Sequence, residues 1–445
     1  MTPPRIVVAG AGMAGLVTAV QAQESGAEVI LLEKGPAPGG SLALSGGTLW
    51  CPRTVDDLRS LVPRGDAELG GVLVEDFPAG VEWLRAQGAK LTPLESLSDR
   101  TVYLMEPGPG AFIAHMAERF QVGGGELLHN TTATELLWDD AGQISGISVR
   151  TNGGSRQSIA CDRVILTTGG FQANPEMMAR YFGRWSDRLV LRSNPRSTGD
   201  GWQMAQALNA ASSRAMSSFY GHLLPAPPAQ VPTHDFIAYT QYHSEQGVLV
   251  NLRGERFTDE SLGDETNAQA VVRQPEALAF LVYDDTIYRT YAVRLAGGGA
   301  RASDTFHESK ALGAPAAVAS TLEDLADAMQ VHGLHGPSLL ATVREYNQAV
   351  EDKQAAGLVV PRRSNPNPVI TPPFYALGVT PGVTFTLGGL QTNRDGQVLE
   401  RSGFPIPGLY AAGVDAGGIH NERYAGGLCL GLVFGRRAAK HAAAH

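Results

Sequence analysis

The chain reads as an α/β protein: a doubly wound parallel sheet interrupted by an inserted α+β capping domain. A strand–helix–strand pattern opens it, with IVVAGAGMAGL from residue 6 and VILLEKG from residue 29. The middle, about 217–377, loses that rhythm and gains proline and aromatics, as in LLPAPPAQVPTHDFIAYTQYH. The opening pattern returns in GGLQTNRDGQVL and GLYAAGVDAGG, and a helix closes the chain. The first domain is therefore assembled from 1–216 and 378–445, with 217–377 inserted between them.

Apolar runs bounded by turn residues predict a strand at 5–10, an amphipathic helix at 13–26 and a strand at 28–33. A glycine-rich loop, 35–48, follows, and 3.6-residue periodicity gives helices near 55–61, 67–88 and 109–122. From Gly125 the sequence alternates apolar and polar residues around DDAG and NGG turns, a β-meander ending in a buried strand, Arg163–Leu166. A helix is expected from about 200 to 210, another over 337–356 with apolar spacing of 3–4, and a last one over 427–443.

The opening turn carries chemistry. Gly10 permits the tight exit from the first strand, Gly12 lets backbone approach a pyrophosphate, and Gly15 lets the helix lie close on the strand. The helix N-terminus then faces the phosphates. Glu33 ends the second strand about 20 residues on, where its carboxylate can accept from ribose hydroxyls. This is a Rossmann-like site for the ADP half of FAD, with Met13, Ala14 and Lys34 beside it.

Composition narrows the function. The 445 residues are 43% hydrophobic, enough for a sizeable core, and carry a net charge of −9 with no basic stripe. Nucleic-acid binding and docking on an anionic membrane are disfavoured. Cys51, Cys161 and Cys429 are widely spaced, so neither a metal cluster nor a redox disulfide is expected. No apolar run reaches the ~18 residues of a membrane span, and the first strand starts too early for a signal peptide. A cytoplasmic location is expected, with no membrane insertion.

GAGMAGL, EKGPAPGGSLALSGG, ILTTGGF, TGDGWQMA, GVLVNLRGERFTDE, LLATVREYN, TPPFYA, PGVTFTLGGLQTN, GLYAAGVDAGG and YAGGLCLGLVFGRRA follow in that order across nearly the whole chain. Together they resemble the fumarate reductase/succinate dehydrogenase flavoprotein superfamily, in particular its soluble branch of 3-ketosteroid dehydrogenases and tricarballylate dehydrogenase. The resemblance implies FAD between the two domains, with substrate stacked on the flavin under the inserted cap. By position, Gly39, Gly40, Ser41, Ser45, Gly46 and Gly47 would wrap the pyrophosphate and reach the flavin edge. Backbone at Ala133 would meet the adenine, Asp415 the ribityl chain, and Thr168, Gly169 and Asp200 the same cradle. Gly427, Leu428 and Leu430 would turn the last helix's N-terminus toward flavin N1 and O2. Gly40 stands where respiratory members carry the histidine bonded to FAD, which implies a non-covalent cofactor here.

The departures bear on the substrate. Fumarate reductases clamp a dicarboxylate with histidines and arginines, because buried carboxylates require such partners. Here Asp264 takes the position of the catalytic arginine, Phe385 that of the histidine before the TLGG turn, and Tyr424 that of the arginine before the last GG pair. Tyr424 is placed as the carbonyl anchor, as a similar tyrosine is in ketosteroid dehydrogenases, and Trp50 and Phe385 are expected to line the pocket. His222, near a substrate histidine of fumarate reductases, is expected to bind substrate. Tyr103, Tyr239 and Tyr242 are the candidate bases, and Tyr220 and His243 enter the cap in the same stretch.

Forming C=C beside a carbonyl removes an α-proton and sends a β-hydride to FAD, while a preorganised donor stabilises the enolate-like oxygen. The expected activity is thus an FAD-dependent dehydrogenase (desaturase) acting on a ketone, with a cyclic or steroid-like ketone as the expected class. The alternative is a carboxylate dehydrogenase or enoate reductase, with Arg423, Arg273 or Arg100 as a new cationic partner. A flavoprotein that only carries electrons or scaffolds a partner is a third reading, opposed by the intact cap. The late AAGVDAGG is unlike the GDAAH of aromatic hydroxylases, and the lack of a second GxGxxG excludes disulfide reductases. Without iron–sulfur or haem motifs, the partners expected are a small-molecule substrate and an external acceptor: oxygen, a quinone or a redox protein.

Overall fold

The computed structural model describes residues 2–94, 99–232, 235–295 and 302–445. They divide into two compact units, 1–177 with 193–219 and 385–445, and 178–192 with 220–384. The second thus includes 178–192, which the sequence pattern leaves with the first domain.

The first unit is built on six strands: β1 (Arg5–Ala9), β2 (Glu28–Leu32), β3 (Glu126–Leu128), β4 (Arg163–Leu166), β5 (Gln397–Leu399) and β6 (Pro405–Ala411). Their spatial order is β5-β6-β4-β1-β2-β3. Only β5 is antiparallel, so both faces of the parallel part are covered and its strands read as apolar runs. Four helices supply one apolar layer: α1 (Met13–Glu24), α2 (Ala67–Ala86), α3 (Pro109–Val122) and α4 (Leu428–Ala444). The meander Thr131–Trp138, Ile144–Thr151 and Arg156–Ala160 packs against β4 and β6.

Two features differ from expectation. Helix α1 is not amphipathic: Met13 through Ala22 are all buried. The cause is α4, which lies along it; a Cβ on Gly431 would meet Ala14 N at 3.0 Å, and one on Gly435 would meet Thr18 Oγ1 at 2.9 Å. Contacts that advance together along both helices mean the two run parallel and begin at the same end. The second is an unanticipated three-stranded sheet of Thr48–Pro52, Leu91–Pro93 and Arg100–Met105. Five of the six residues in Arg100–Met105 are half-buried, so it carries no alternation to read.

The second unit is organised around a long strand, Phe374–Thr386, which runs unbroken past residue 377. Ala279–Asp284 and Ala316–Ala319 pair with it antiparallel, Val190–Leu191 pairs parallel, and Val248–Val250 extends the sheet. Helix Gly336–Glu351 sets Leu339, Val343 and Tyr346 on Val248, Phe280 and Val282. Beneath, buried Glu260 is held between Arg256 (2.5 Å) and Arg362 (3.1 Å), which meets the pairing requirement of a buried charge.

Candidate active site and cofactor cradle

In the first unit the β1–α1 turn is shaped by close approach. A Cβ on Gly10 would meet Thr167 O at 2.3 Å, and one on Gly15 would lie 1.8 Å from Gly10 O. Over Gly12 there is room: its Cβ would find only Gly39 O, at 3.9 Å, and that of Gly46 nothing within 4 Å. Gly12 caps α1 without a side chain and no acid stands in the first turn, so the free N–H groups and the dipole are left for an anion. Gly39 N–H donates to Ala11 O (2.8 Å), bringing the second glycine loop across, and Gly40 sits over Gly12. Ser41 bonds Ser193 (3.1 Å), while Ser45 donates to Leu42 O and accepts from Gly47 N–H. These residues fit a pyrophosphate.

Glu33 is pinned by N–H groups of Ala11 (3.1 Å) and Gly35 (2.6 Å), which occupy two of its roughly four acceptor positions and leave two for ribose hydroxyls. Thr131 N–H donates to Glu33 O, so the strand bearing Ala133 starts beside it. Lys34 pairs with Asp200 (2.7 Å) and Thr198 (2.8 Å). Thr168 accepts from Gly201 N–H and donates to Asp415, whose other oxygen takes Gly169 N–H at 3.0 Å.

Burial pushes the Asp415 carboxyl up to about 7, against its bonds to Gly169 and Thr168. Burial pushes His420 down to about 3. Asp415, raised in the fold, contributes stability below about pH 4 that is lost as pH rises to 7. His420, depressed, contributes stability above about pH 6.5 that is lost as pH falls toward 3. The slopes oppose, each at most about 1.4 kcal/mol per pH unit. Asp415→Asn removes the first, so the melting temperature of the variant should gain on the wild type as pH rises from 4 to 7. Parallel melting curves across that range would refute the shift at Asp415.

Gly427 stands at the N-cap of helix α4, and its N–H donates to the Tyr424 hydroxyl at 2.8 Å. Accepting that N–H polarises the phenol and strengthens its O–H as a donor. Around the ring stand Trp50 (5.4 Å, edge-on), Phe385 (5.9 Å) and buried His420 (5.9 Å). Leu430 is buried and Leu428 half-buried in the first turn. The structure thus brings Tyr424, Trp50 and Phe385 together. It does not bring Tyr103 to them: register sets Tyr103 opposite Leu49 and Trp50 opposite Val102, so the two rings point to opposite faces. Tyr103 packs on α2, with Phe77 at 6.4 Å and the Arg85 guanidinium 5.1 Å over its ring.

In the second unit, His222 Nδ1 lies 2.5 Å from Asp264 and its Nε2 3.0 Å from the Tyr220 hydroxyl, with the Tyr242 ring 4.9 Å away. Arg192 donates to Tyr242 (3.2 Å) and Thr384 (2.7 Å) and lies 4.3 Å over Phe236. It is only 4% exposed, and its hydrogen-bond partners among the described residues are these two hydroxyls. Sequence reasoning missed it; its place in the apolar run LVLRS was the available signal. Tyr239, at the end of helix Phe236–Tyr239, is half-buried. Of the arginines named from sequence, Arg100 is engaged by Asp99 (2.7 Å), Arg273 is exposed and Arg423 is half-buried.

Among the described residues no cluster could hold a metal, and no helix is long and apolar enough to cross a membrane. Known proteins resemble this chain over nearly its whole length. A fumarate reductase (cytochrome) of Shewanella frigidimarina is 28% identical over 98% of this chain and 76% of its own length. The 3-oxosteroid 1-dehydrogenase of Mycobacterium tuberculosis is 26% identical over 98% of both. A 3-ketosteroid-Δ4-(5α)-dehydrogenase from Rhodococcus jostii RHA1, solved with 4-androstene-3,17-dione, is 25% identical and matches with a TM-score of 0.77 over 99% of this chain and 96% of that one. A model described as an FAD binding domain matches residues 5–430, the span from the first strand to the helix that ends the cradle. The chain therefore belongs to the FAD binding domain family, within the fumarate reductase/succinate dehydrogenase flavoprotein superfamily, and is an FAD-dependent oxidoreductase acting on CH–CH groups.

Proposed function

We propose that the protein is a desaturase that forms a C=C bond beside the carbonyl of a cyclic, steroid-like ketone. The observation that carries this reading is Tyr424, a phenol that accepts a helix N-terminal N–H and stands among Trp50, Phe385 and a neutral histidine. Such a wall suits an uncharged substrate. FAD, when bound, supplies the two-electron sink for the β-hydride. Tyr424 holds the carbonyl oxygen and meets the negative charge that develops there, an interaction worth about 3 kcal/mol in the transition state. Electrons then leave to an external acceptor: oxygen, a quinone or a redox protein.

One observation favours the carboxylate reading. Among the described residues the buried Arg192 guanidinium meets hydroxyls and an aromatic face and no carboxylate, and a substrate carboxylate would supply the counter-ion that burial usually demands. The test is the visible absorbance of the holoenzyme under nitrogen as saturated cyclic ketones, ketosteroids and then tricarboxylates are added. Bleaching by a ketone supports the first reading. Bleaching by carboxylates alone overturns it, and Arg192→Met should then raise the half-saturating concentration about 10- to 100-fold, the worth of one charged hydrogen-bonded pair.

A further inference from the structure

We propose that Arg196 lays its guanidinium plane against the adenine of bound FAD and so closes the adenosine end of the cradle. In an adenine dinucleotide the ribose separates the base from the diphosphate, so a site for the ribose fixes the order of the other two. Gly12, with Gly40 over it, marks the diphosphate side, and Glu33 takes the ribose hydroxyls. The carboxylate itself gives the direction. Its Oε2 accepts from Ala11 N–H, within the β1–α1 turn, and its Oε1 from Gly35 N–H, away from that turn. The base therefore falls toward Gly35, whose carbonyl accepts from Asn130 N–H at 2.9 Å. A Cβ on Gly35 would meet Glu33 Oε1 at 2.9 Å and Arg196 Cδ and Nε at 3.4 Å each. The arginine head thus lies beside the acid that holds the ribose, on its adenine side.

A preformed turn presents this side chain. Asn194 Oδ1 accepts from Arg196 N–H (3.0 Å), and the carbonyls of Asn194 and Arg196 accept from Ser197 N–H (3.1 Å) and Thr198 N–H (3.0 Å). Lys34, between Glu33 and Gly35 in the chain, donates to Thr198 (2.8 Å) and Asp200 (2.7 Å), which fixes the turn to the strand end bearing the acid. Lys34 is thereby committed to Asp200, whereas the exposed Arg196 makes no ion pair among the described residues. The diphosphate has its own donors in the N-terminus of α1. What a planar, weakly hydrated guanidinium can add beside the ribose is cover for an aromatic face, with its methylene stem shielding the edge.

The test is FAD affinity, read from the rise in flavin fluorescence as holoenzyme is diluted, so it involves no substrate and no turnover. Arg196→Ala should weaken FAD binding about 3- to 30-fold, the worth of a cation on a ring face. Its melting temperature without flavin should equal that of the wild type, since an exposed side chain without partners is lost. Two further variants separate the plane from the charge. Arg196→Trp keeps a flat face for the base and should regain most of the lost affinity. Arg196→Lys keeps the charge without the plane and should stay weaker than the wild type. Unchanged affinity in Arg196→Ala overturns the proposal. So does an Arg196→Trp variant no tighter than Arg196→Ala, and an Arg196→Lys variant as tight as the wild type would make the residue a phosphate ligand instead.

Discussion

Replacing Gly15 by alanine should yield a chain that no longer retains FAD. The added Cβ would sit 1.8 Å from Gly10 O and 2.9 Å from Thr167 Oγ1. Neither can retreat, because Thr167 donates to Ala9 O (3.0 Å) and Gly10 O (2.8 Å), clamping the turn to the end of β4. Helix α1 must therefore lift, and its N–H groups lose their aim at the pyrophosphate. Overpacking of this kind costs about 1–3 kcal/mol or more, and the ratio of flavin to protein absorbance should fall at least tenfold. Gly12→Ala separates the causes. Its Cβ has 3.9 Å to the nearest protein atom, so the variant should keep its melting temperature without cofactor and yet bind FAD weakly. A Gly15→Ala protein that purifies fully yellow would refute the close-packed turn.

Tyr424→Phe should keep FAD and slow its bleaching by substrate about 100- to 1000-fold, the usual loss when one oxyanion donor is removed. The phenol holds position by ring contacts with Trp50 and Phe385 that phenylalanine preserves, so the deletion isolates the hydroxyl. Gly427 N–H loses its acceptor in the variant, at a cost of about 1 kcal/mol visible as a lower melting temperature. Rapid-mixing absorbance at saturating ketone separates the two effects, since stability does not alter a saturated first-order rate. Bleaching within threefold of wild type would remove Tyr424 from the reaction and leave it a helix cap.

What could be read in advance was local. Gly10, Gly12, Gly15 and Glu33 sit within one βαβ unit, and their spacing alone specifies a turn, an approach and an acid. What could not be read depends on partners far along the chain. The all-round burial of α1 comes from α4, some 400 residues later, so periodicity near residue 13 carries no trace of it. The face of Tyr103 is fixed by its register against Leu49, not by its own segment. Asp264 reads in sequence as a lost arginine; its partnership with His222 needs the fold.

The parallel course of α1 and α4 has a thermodynamic consequence. Two helix N-termini abut at the same end, each with a glycine at its N-cap and no acid in its first turn. Their fractional positive poles, about half a charge each, repel one another until an anion arrives. A dinucleotide bearing a diphosphate acts there as a counter-ion, so loading and folding become one coupled equilibrium. Each tenfold excess of free FAD over its dissociation constant then adds about 1.4 kcal/mol to the fold, and flavin supply would set how much of this protein survives in its native state.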